Sequence, residues 1–227
     1  MSTRSKFSKR TKKVIVPNTV KAWSFSRHME YAKCPFKFKC KAIDKLKEPT
    51  NQFAERGITT HARGEQYLRG KIRGVPDEFA QFKTEMQELK KAGAEPEYDL
   101  AVTRDWMPTV YNDWNGVWCR AKADALLADE AEGFSTDYKS GKEKADDEVQ
   151  MNLYAVLMLA HFKKIKKALV EIWYLPTGKV VSDTYARKNE KSLRKDWEKR
   201  VEPMFTDTSF EPRENDGCRW CAFSKDK

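Results

Sequence analysis

No hydrophobic run in this chain reaches the length that crosses a bilayer, and the basic start, Met1 to Lys13, lacks the apolar segment of a secretory signal. The expectation is a cytosolic protein without membrane attachment. Cysteine is scarce, with five residues in 227, and in a reducing compartment these read as free thiols or metal ligands before disulfides. No internal repeat is visible. Nor is there a zinc-finger pattern or a recognition-helix motif, so any nucleic acid would be held mainly by its backbone. That predicts affinity that falls with salt and little sequence preference.

What the chain has in excess is positive charge. Lys and Arg number 44 against 34 Asp and Glu, a formal net charge of +10. Such a field steers polyanions inward and offsets phosphate repulsion; it also suits an anionic membrane surface or simple solubility. The length fits one domain, or a domain with an appended lobe, and is sufficient to bury a core. Residues 1–15, with Arg4, Lys6, Lys9, Arg10, Lys12 and Lys13 among Ser and Thr, read as a disordered basic tail. Residues 16–227 read as a single domain: a helical lobe over 24–93, a core over 94–204 and a cysteine-containing segment over 205–227.

Hydrophobic period orders the elements. Ser24-Phe25-Ser26 starts a helix towards Cys34, and Pro35 suits the first position of a second one, with Phe36, Phe38 and Ile43 as packing residues. A helix over Thr59–Leu68 puts His61 and Glu65 on one face. Another over Glu78–Lys90 has Phe79, Phe82, Met86 and Leu89 as a core stripe and ends near Gly93. The period then changes. Glu97–Thr103, Val117–Leu127 and Gly133–Lys139 read as strands, followed by a helix over Asp146–Phe162 too apolar all round to lie on a surface. A hairpin, Leu169–Leu175 and Lys179–Thr184, and a basic helix over Arg187–Val201 complete an α/β core.

The chemistry concentrates at Asp137-Tyr138-Lys139, thirteen residues after Asp124 and upstream of Gln150 and Tyr154. Strand alternation puts Asp137 and Lys139 on one face and Phe134, Thr136 and Tyr138 on the other. On the preceding strand the same parity groups Arg120, Lys122 and Asp124 opposite Cys119, Ala121, Ala123 and Ala125. If the two strands are neighbours, Asp124 meets Asp137 across the gap. Two carboxylates, a backbone carbonyl near Tyr138 and waters satisfy Mg2+ or Mn2+, which would activate a bound water while Lys139 stabilises transition-state charge. The bland alternative for an isolated Asp-x-Lys triplet is a surface ion pair.

The stretches "SFSRHMEYAKCPFKFKCKAI", "RGITTHARGE" with His61, "AKADAL" with Asp124, "DYKSGK" with Asp137 and Lys139, "QMNLY" with Gln150 and Tyr154, and "CRWC" occur in that order. In this the chain resembles the PD-(D/E)xK nuclease superfamily, in particular its RecB-like branch, which includes CRISPR-associated and many bacteriophage-encoded exonucleases. The resemblance implies a restriction-endonuclease-like core, with a central mixed sheet flanked by helices and an N-terminal helical lobe. It makes His61 a metal ligand beside Asp124 and Asp137, and it places Gln150 and Tyr154 at the active site with Lys139. The implied activity is a Mg2+- or Mn2+-dependent DNA exonuclease with little sequence preference, acting on single strands or free ends in phage-like replication or recombination, alongside partner proteins of those processes. A structure-selective or single-strand endonuclease and an inactive nucleic-acid-binding accessory protein are the competing readings. His28 and His161 have no such company and read as structural.

Cys218-Arg219-Trp220-Cys221 has chelating spacing, and Cys34 matches the position of a distant cysteine ligand in relatives whose four cysteines hold an iron–sulfur cluster. Nothing after Cys221 supplies the usual last cysteine. Cys40 is the substitute, although on an α-helix it would lie about 240° around the axis from Cys34. A cluster, a zinc ion and reduced packing thiols all stay open, while Cys119 reads as core. For the substrate, Arg120, Lys122, Lys142, Arg187, Lys191, Arg194 and Lys195 are candidate phosphate contacts. Trp106, Trp114 and Trp118 read as stacking surfaces for unpaired bases or, for most of them, as packing.

Overall fold

A computed structural model describes residues 20–49 and 52–224; the basic tail read over residues 1–15 lies outside them. Five strands form one sheet in chain order: β1 (Glu95–Val102), β2 (Cys119–Ala128), β3 (Glu132–Lys139), β4 (Lys167–Tyr174) and β5 (Lys179–Ala186). Neighbours pair antiparallel except β3 and β4, which run parallel. A parallel pair requires a crossover, and helix α5 (Asp147–His161) provides it. Among the described residues no helix is long and apolar enough to cross a membrane.

Helices cover both faces of the sheet. On one, α5 is buried almost all round, which is why its sequence carries no polar stripe. It packs with α1 (Phe25–Lys33), α2 (Pro35–Phe38) and α6 (Glu190–Thr206) over Leu100, Val102, Val170 and Ile172. Ser24 caps α1 by accepting from the Arg27 amide at 3.4 Å, and Pro35 opens α2. Trp23 stacks on Trp197 at 5.2 Å and meets Trp118 edge-on at 5.5 Å; Trp106 meets Trp118 at 5.3 Å. Trp106 and Trp118 are therefore packing residues, whereas Trp114 is exposed.

The other face carries α3 (Gln52–Leu68) and α4 (Lys83–Lys91), with Phe79, Phe82, Met86 and Leu89 against Ala125, Tyr138 and Trp173. Two elements differ from the sequence reading. The helix placed at Thr59 starts at Gln52, because Gly57 and the β-branched Ile58, Thr59 and Thr60 weaken local propensity that tertiary packing overrides. The helix placed over Glu78–Lys90 is a tight 3-10 segment, Asp77–Phe82, kinked into α4. The kink lets both aromatic rings point inward: Phe79 meets Tyr138 edge-on at 4.8 Å, and Phe82 stacks on Trp173 at 4.8 Å.

Gly64 sets the approach of α3 to this face. A Cβ there would sit 2.9 Å from the Phe79 ring and 3.1 Å from the Tyr138 ring, and neither ring has free space to move into. Gly64→Val should cost about 1–3 kcal/mol by overpacking, read as a lower urea midpoint. Gly74→Val, where a Cβ meets nothing within 4 Å, is the control and should stay near wild type.

Candidate active site

The β2–β3 ladder pairs Ala125 with Thr136 and goes no further. At the next position the strands part, and Asp124 fills the opening. Its Oδ2 accepts from the Tyr138 backbone amide at 2.6 Å, and its Oδ1 lies 2.7 Å from His61 Nδ1 on α3. A side-chain carboxylate thus takes the place of a backbone acceptor. The irregularity also switches the strand's parity. Ala123 packs with the α5 face but Ala125 with the α3 face, so the single small-residue face read over Cys119–Ala125 is corrected to two half-faces.

Asp137 occupies the facing position on β3 and is 6% exposed. Its Oδ1 accepts from Gln150 Nε2 at 2.9 Å, its Oδ2 lies 2.6 Å from Lys139 Nζ, and Lys139 donates on to Gln150 Oε1 at 2.7 Å. The three side chains close a ring. Tyr154, one helical turn beyond Gln150, donates to the Lys122 carbonyl at 2.7 Å and stands 3.3 Å from Asp137 Oδ1. The α3 face thus delivers His61 and the α5 face delivers Gln150 and Tyr154, with the two aspartates at the seam between them.

Electrostatics follow from that seam. Burial would lower the His61 pKa, but the hydrogen bond and charge of Asp124, with Asp137 and Glu97 behind, outweigh it and raise it to about 9. Asp124 is pushed up by burial and by the Asp137 charge, against the pull of His61 and the Tyr138 amide. For Lys139, burial opposes the ammonium, and Asp137 more than restores it, so its pKa stands above the ordinary lysine value. Lys139 is therefore a cation at neutral pH, suited to holding negative charge rather than to accepting a proton.

Among the described residues His61, Glu97 and Asp124 form a cation-sized group, with ligand atoms within 4.8 Å of one another. Glu97 was not among the sequence candidates. It lies opposite Asp124 in the β1–β2 register, between the pairs Pro96–Ala125 and Tyr98–Ala123, and it adopts a left-handed backbone (φ 54°), which costs a non-glycine residue on the order of 1–3 kcal/mol. Strand registers are not readable from one sequence, so a carboxylate at the head of β1 carried no signal. Glu65, on the same helical face as His61, pairs instead with Arg69 at 2.8 Å.

His61, Lys139, Gln150 and Tyr154 line one cleft of roughly 1070 Å³, together with Arg120, Lys122 and Lys142. The other basic candidates do not line it. Arg187 is spent on structure: its guanidinium donates to the carbonyls of Leu159, Phe162 and Ile165 at the end of α5, which corrects its reading as a phosphate contact. Arg194 pairs with Glu190, while Lys191 and Lys195 are exposed on α6. His28 lies edge-on to Trp197, and His161 meets the Ala101 backbone.

Cys34, Cys218 and Cys221 line the same cleft. Cys40 lies within electrostatic reach of Cys34 and Cys221, its thiol pushed up by burial first and then by Asp44. The helical-wheel argument that turned Cys40 away from Cys34 fails, because Cys34 is an extended cap residue and Lys39–Ile43 winds as a wider π-turn. No three of these sulfurs come within 4.8 Å of one another, so the tetrahedron of a zinc ion, with edges of about 3.8 Å, is not preformed. Cys119 is fully buried in the core.

A sequence model described as the PD-(D/E)XK nuclease superfamily matches residues 22–225. Comparison with curated proteins gives no match. Among solved structures, the protein SSO0001 is similar at 14% identity and a TM-score of 0.42, over 90% of this chain and 85% of that one. A candidate exonuclease from Eubacterium rectale is similar at 10% identity and a TM-score of 0.48, over 90% and 87%.

The His61–Asp124 pair makes stability depend on pH. Folding raises the His61 pKa, so its contribution is complete below the unfolded value near 6.5 and is lost as pH climbs to about 9. In chelator-containing buffer, unfolding free energy should fall between pH 6.5 and 9.5 by on the order of 2 kcal/mol more in the native protein than in Asp124→Asn. Equal slopes in urea titrations would remove the pair as the cause.

Proposed function

The chain belongs to the PD-(D/E)XK nuclease superfamily, and from that premise we propose that it is a Mg2+- or Mn2+-dependent DNA exonuclease in which Asp124, Asp137 and Lys139 carry the chemistry. The family establishes phosphodiester hydrolysis, divalent-metal use and a restriction-endonuclease-like fold. The exonuclease mode, DNA as substrate and a place in phage-like replication or recombination, with partner proteins, are our reading, supported by the resemblance of the ordered motifs. The observation that carries the chemical assignment is the closed ring of Asp137, Lys139 and Gln150 beside Asp124, with Lys139 and Gln150 lining a basic cleft.

The residues present fit a hard divalent cation, because carboxylate oxygens and one imidazole are gathered in a space of cation size. His61, Asp124 and Glu97 would hold the ion, with Asp137 adjoining. An ion held there would supply a water of lowered pKa and polarisation of the scissile phosphate. The protein's own groups do the rest. Lys139, kept cationic by Asp137, faces the charge that builds on the attacked phosphate. Gln150 fixes both members of that pair and Tyr154 ties Asp137 to the Lys122 carbonyl, while His61 and the Tyr138 amide fix Asp124, so neither carboxylate is free to swing. Arg120, Lys122 and Lys142 hold the flanking phosphates.

Asp124→Ala and Lys139→Ala should each lower cleavage at least about a hundredfold while the folded protein persists, and a chelator should abolish it. Unchanged cleavage by either variant would leave the nuclease assignment without its residues. End-labelled linear DNA should be digested while a closed single-stranded circle survives; loss of the circle selects the endonuclease reading. Glu97→Gln should raise the metal concentration for half-maximal activity about tenfold, with Glu65→Gln as the neutral comparison. For the four cysteines we propose an iron–sulfur cluster; protein prepared without oxygen should then be coloured and contain iron, a colourless sample that contains zinc makes them a zinc site, and one with neither metal makes them packing thiols.

A further inference from the structure

The connection between β1 and β2 is longer than a hairpin needs, and it is built to present one ring. It is pinned at its base by Trp106, which is buried and donates to Glu198 at 2.8 Å, and by the Thr109 amide bonding to the Ala101 carbonyl at 3.0 Å. At the tip, Asp113 Oδ1 accepts from the amides of Asn115 and Gly116, both at 3.2 Å. At Gly116 a Cβ would fall 2.4 Å from the Asp113 carboxylate, which would have to shift. Between these anchors stands Trp114, 54% exposed. The indole is thus held on an ordered turn with more than half of its surface open to water.

The inner side of Trp114 is occupied. The Arg120 guanidinium lies 4.4 Å from its ring centre and 4.6 Å from that of Tyr111, and its Nη1 donates to the Tyr111 carbonyl at 3.4 Å. Tyr111, Arg120 and Lys122 line the same cleft as Lys139, Gln150 and Tyr154. Through Arg120, Trp114 adjoins the basic cleft that holds Lys139, Gln150 and Tyr154.

We propose that Trp114, backed by Arg120 and Tyr111, is a stacking platform that binds an unpaired nucleobase at the entrance of the catalytic cleft, making single strands and frayed ends the preferred substrate. This rests on the nuclease reading only in taking the cleft as the path of the strand. The cationic lining fits phosphates, and the flat exposed indole fits the one surface that every unpaired base offers and a base within a duplex hides. A stacked cation behind the ring fixes its angle, so little ordering remains for the strand to impose.

The test is binding without turnover. Lys139→Ala protein in chelator-containing buffer is titrated against a labelled single-stranded deoxyoligonucleotide and against an equal-length strand of abasic residues. Adding Trp114→Ala should weaken the base-containing strand roughly tenfold and leave the abasic strand within twofold, while Trp114→Phe retains most of the affinity. Equal weakening on both strands, no weakening, or no binding to either strand overturns the platform; no weakening is also the outcome expected if Trp114 serves a protein partner. Metal-dependent cleavage by the unmodified protein is measured separately, so loss of the nuclease reading is distinguishable from loss of the platform.

Discussion

The arrangement of the site depends on one hydrogen bond, from the Tyr138 amide to the Asp124 carboxylate. Two neighbouring strands would ordinarily continue their ladder through this point. Here the chain gives up a backbone pair and puts a charged oxygen in its place. The exchange keeps the amide satisfied while the strands separate, and it fixes a buried carboxylate that could not otherwise be oriented. His61 adds the second contact, so that both oxygens of Asp124 point in determined directions.

Everything else at the seam works to hold two acidic groups close and to fix their directions. Asp137 is offset by Lys139 and restrained by Gln150 and Tyr154; Asp124 is offset by His61. Lys139 comes from β3 itself, while His61 comes from the helix on one face of the sheet and Gln150 and Tyr154 from the helix on the other. The packing of both layers therefore sets the geometry of the chemistry. Gly64 lets α3 lie close enough to carry His61 to the seam, and the wholly apolar circumference of α5 keeps Gln150 and Tyr154 in register on the other side. Stability and site are in this sense the same problem.

Local patterns were legible wherever one physical rule dominated. Period-two alternation located all five strands to within a few residues, and the unstriped apolar run identified the buried α5. The rules failed where two of them competed. At Phe79 and Phe82 inward aromatic packing broke a helix that propensity favoured. At Asp124 a side chain replaced a ladder bond and reversed the alternation. Arg187 read as a free cation because sequence does not reveal which helix end lies nearby. Cys40 read as turned away because a π-turn has a different pitch from the helix assumed for it.

The sequence by itself determined the α/β class, the order of the elements and the identity of the acidic, cationic and amide groups, because each follows from residue type and short-range spacing. Only the tertiary structure decided that Glu97 stands with His61 and Asp124, that Trp114 alone of its neighbouring tryptophans is exposed, and which basic residues line the cleft. These depend on strand register, helix approach and the direction of side chains from distant segments. Such quantities are fixed by packing across the sheet, and they leave no mark in the local pattern of residues.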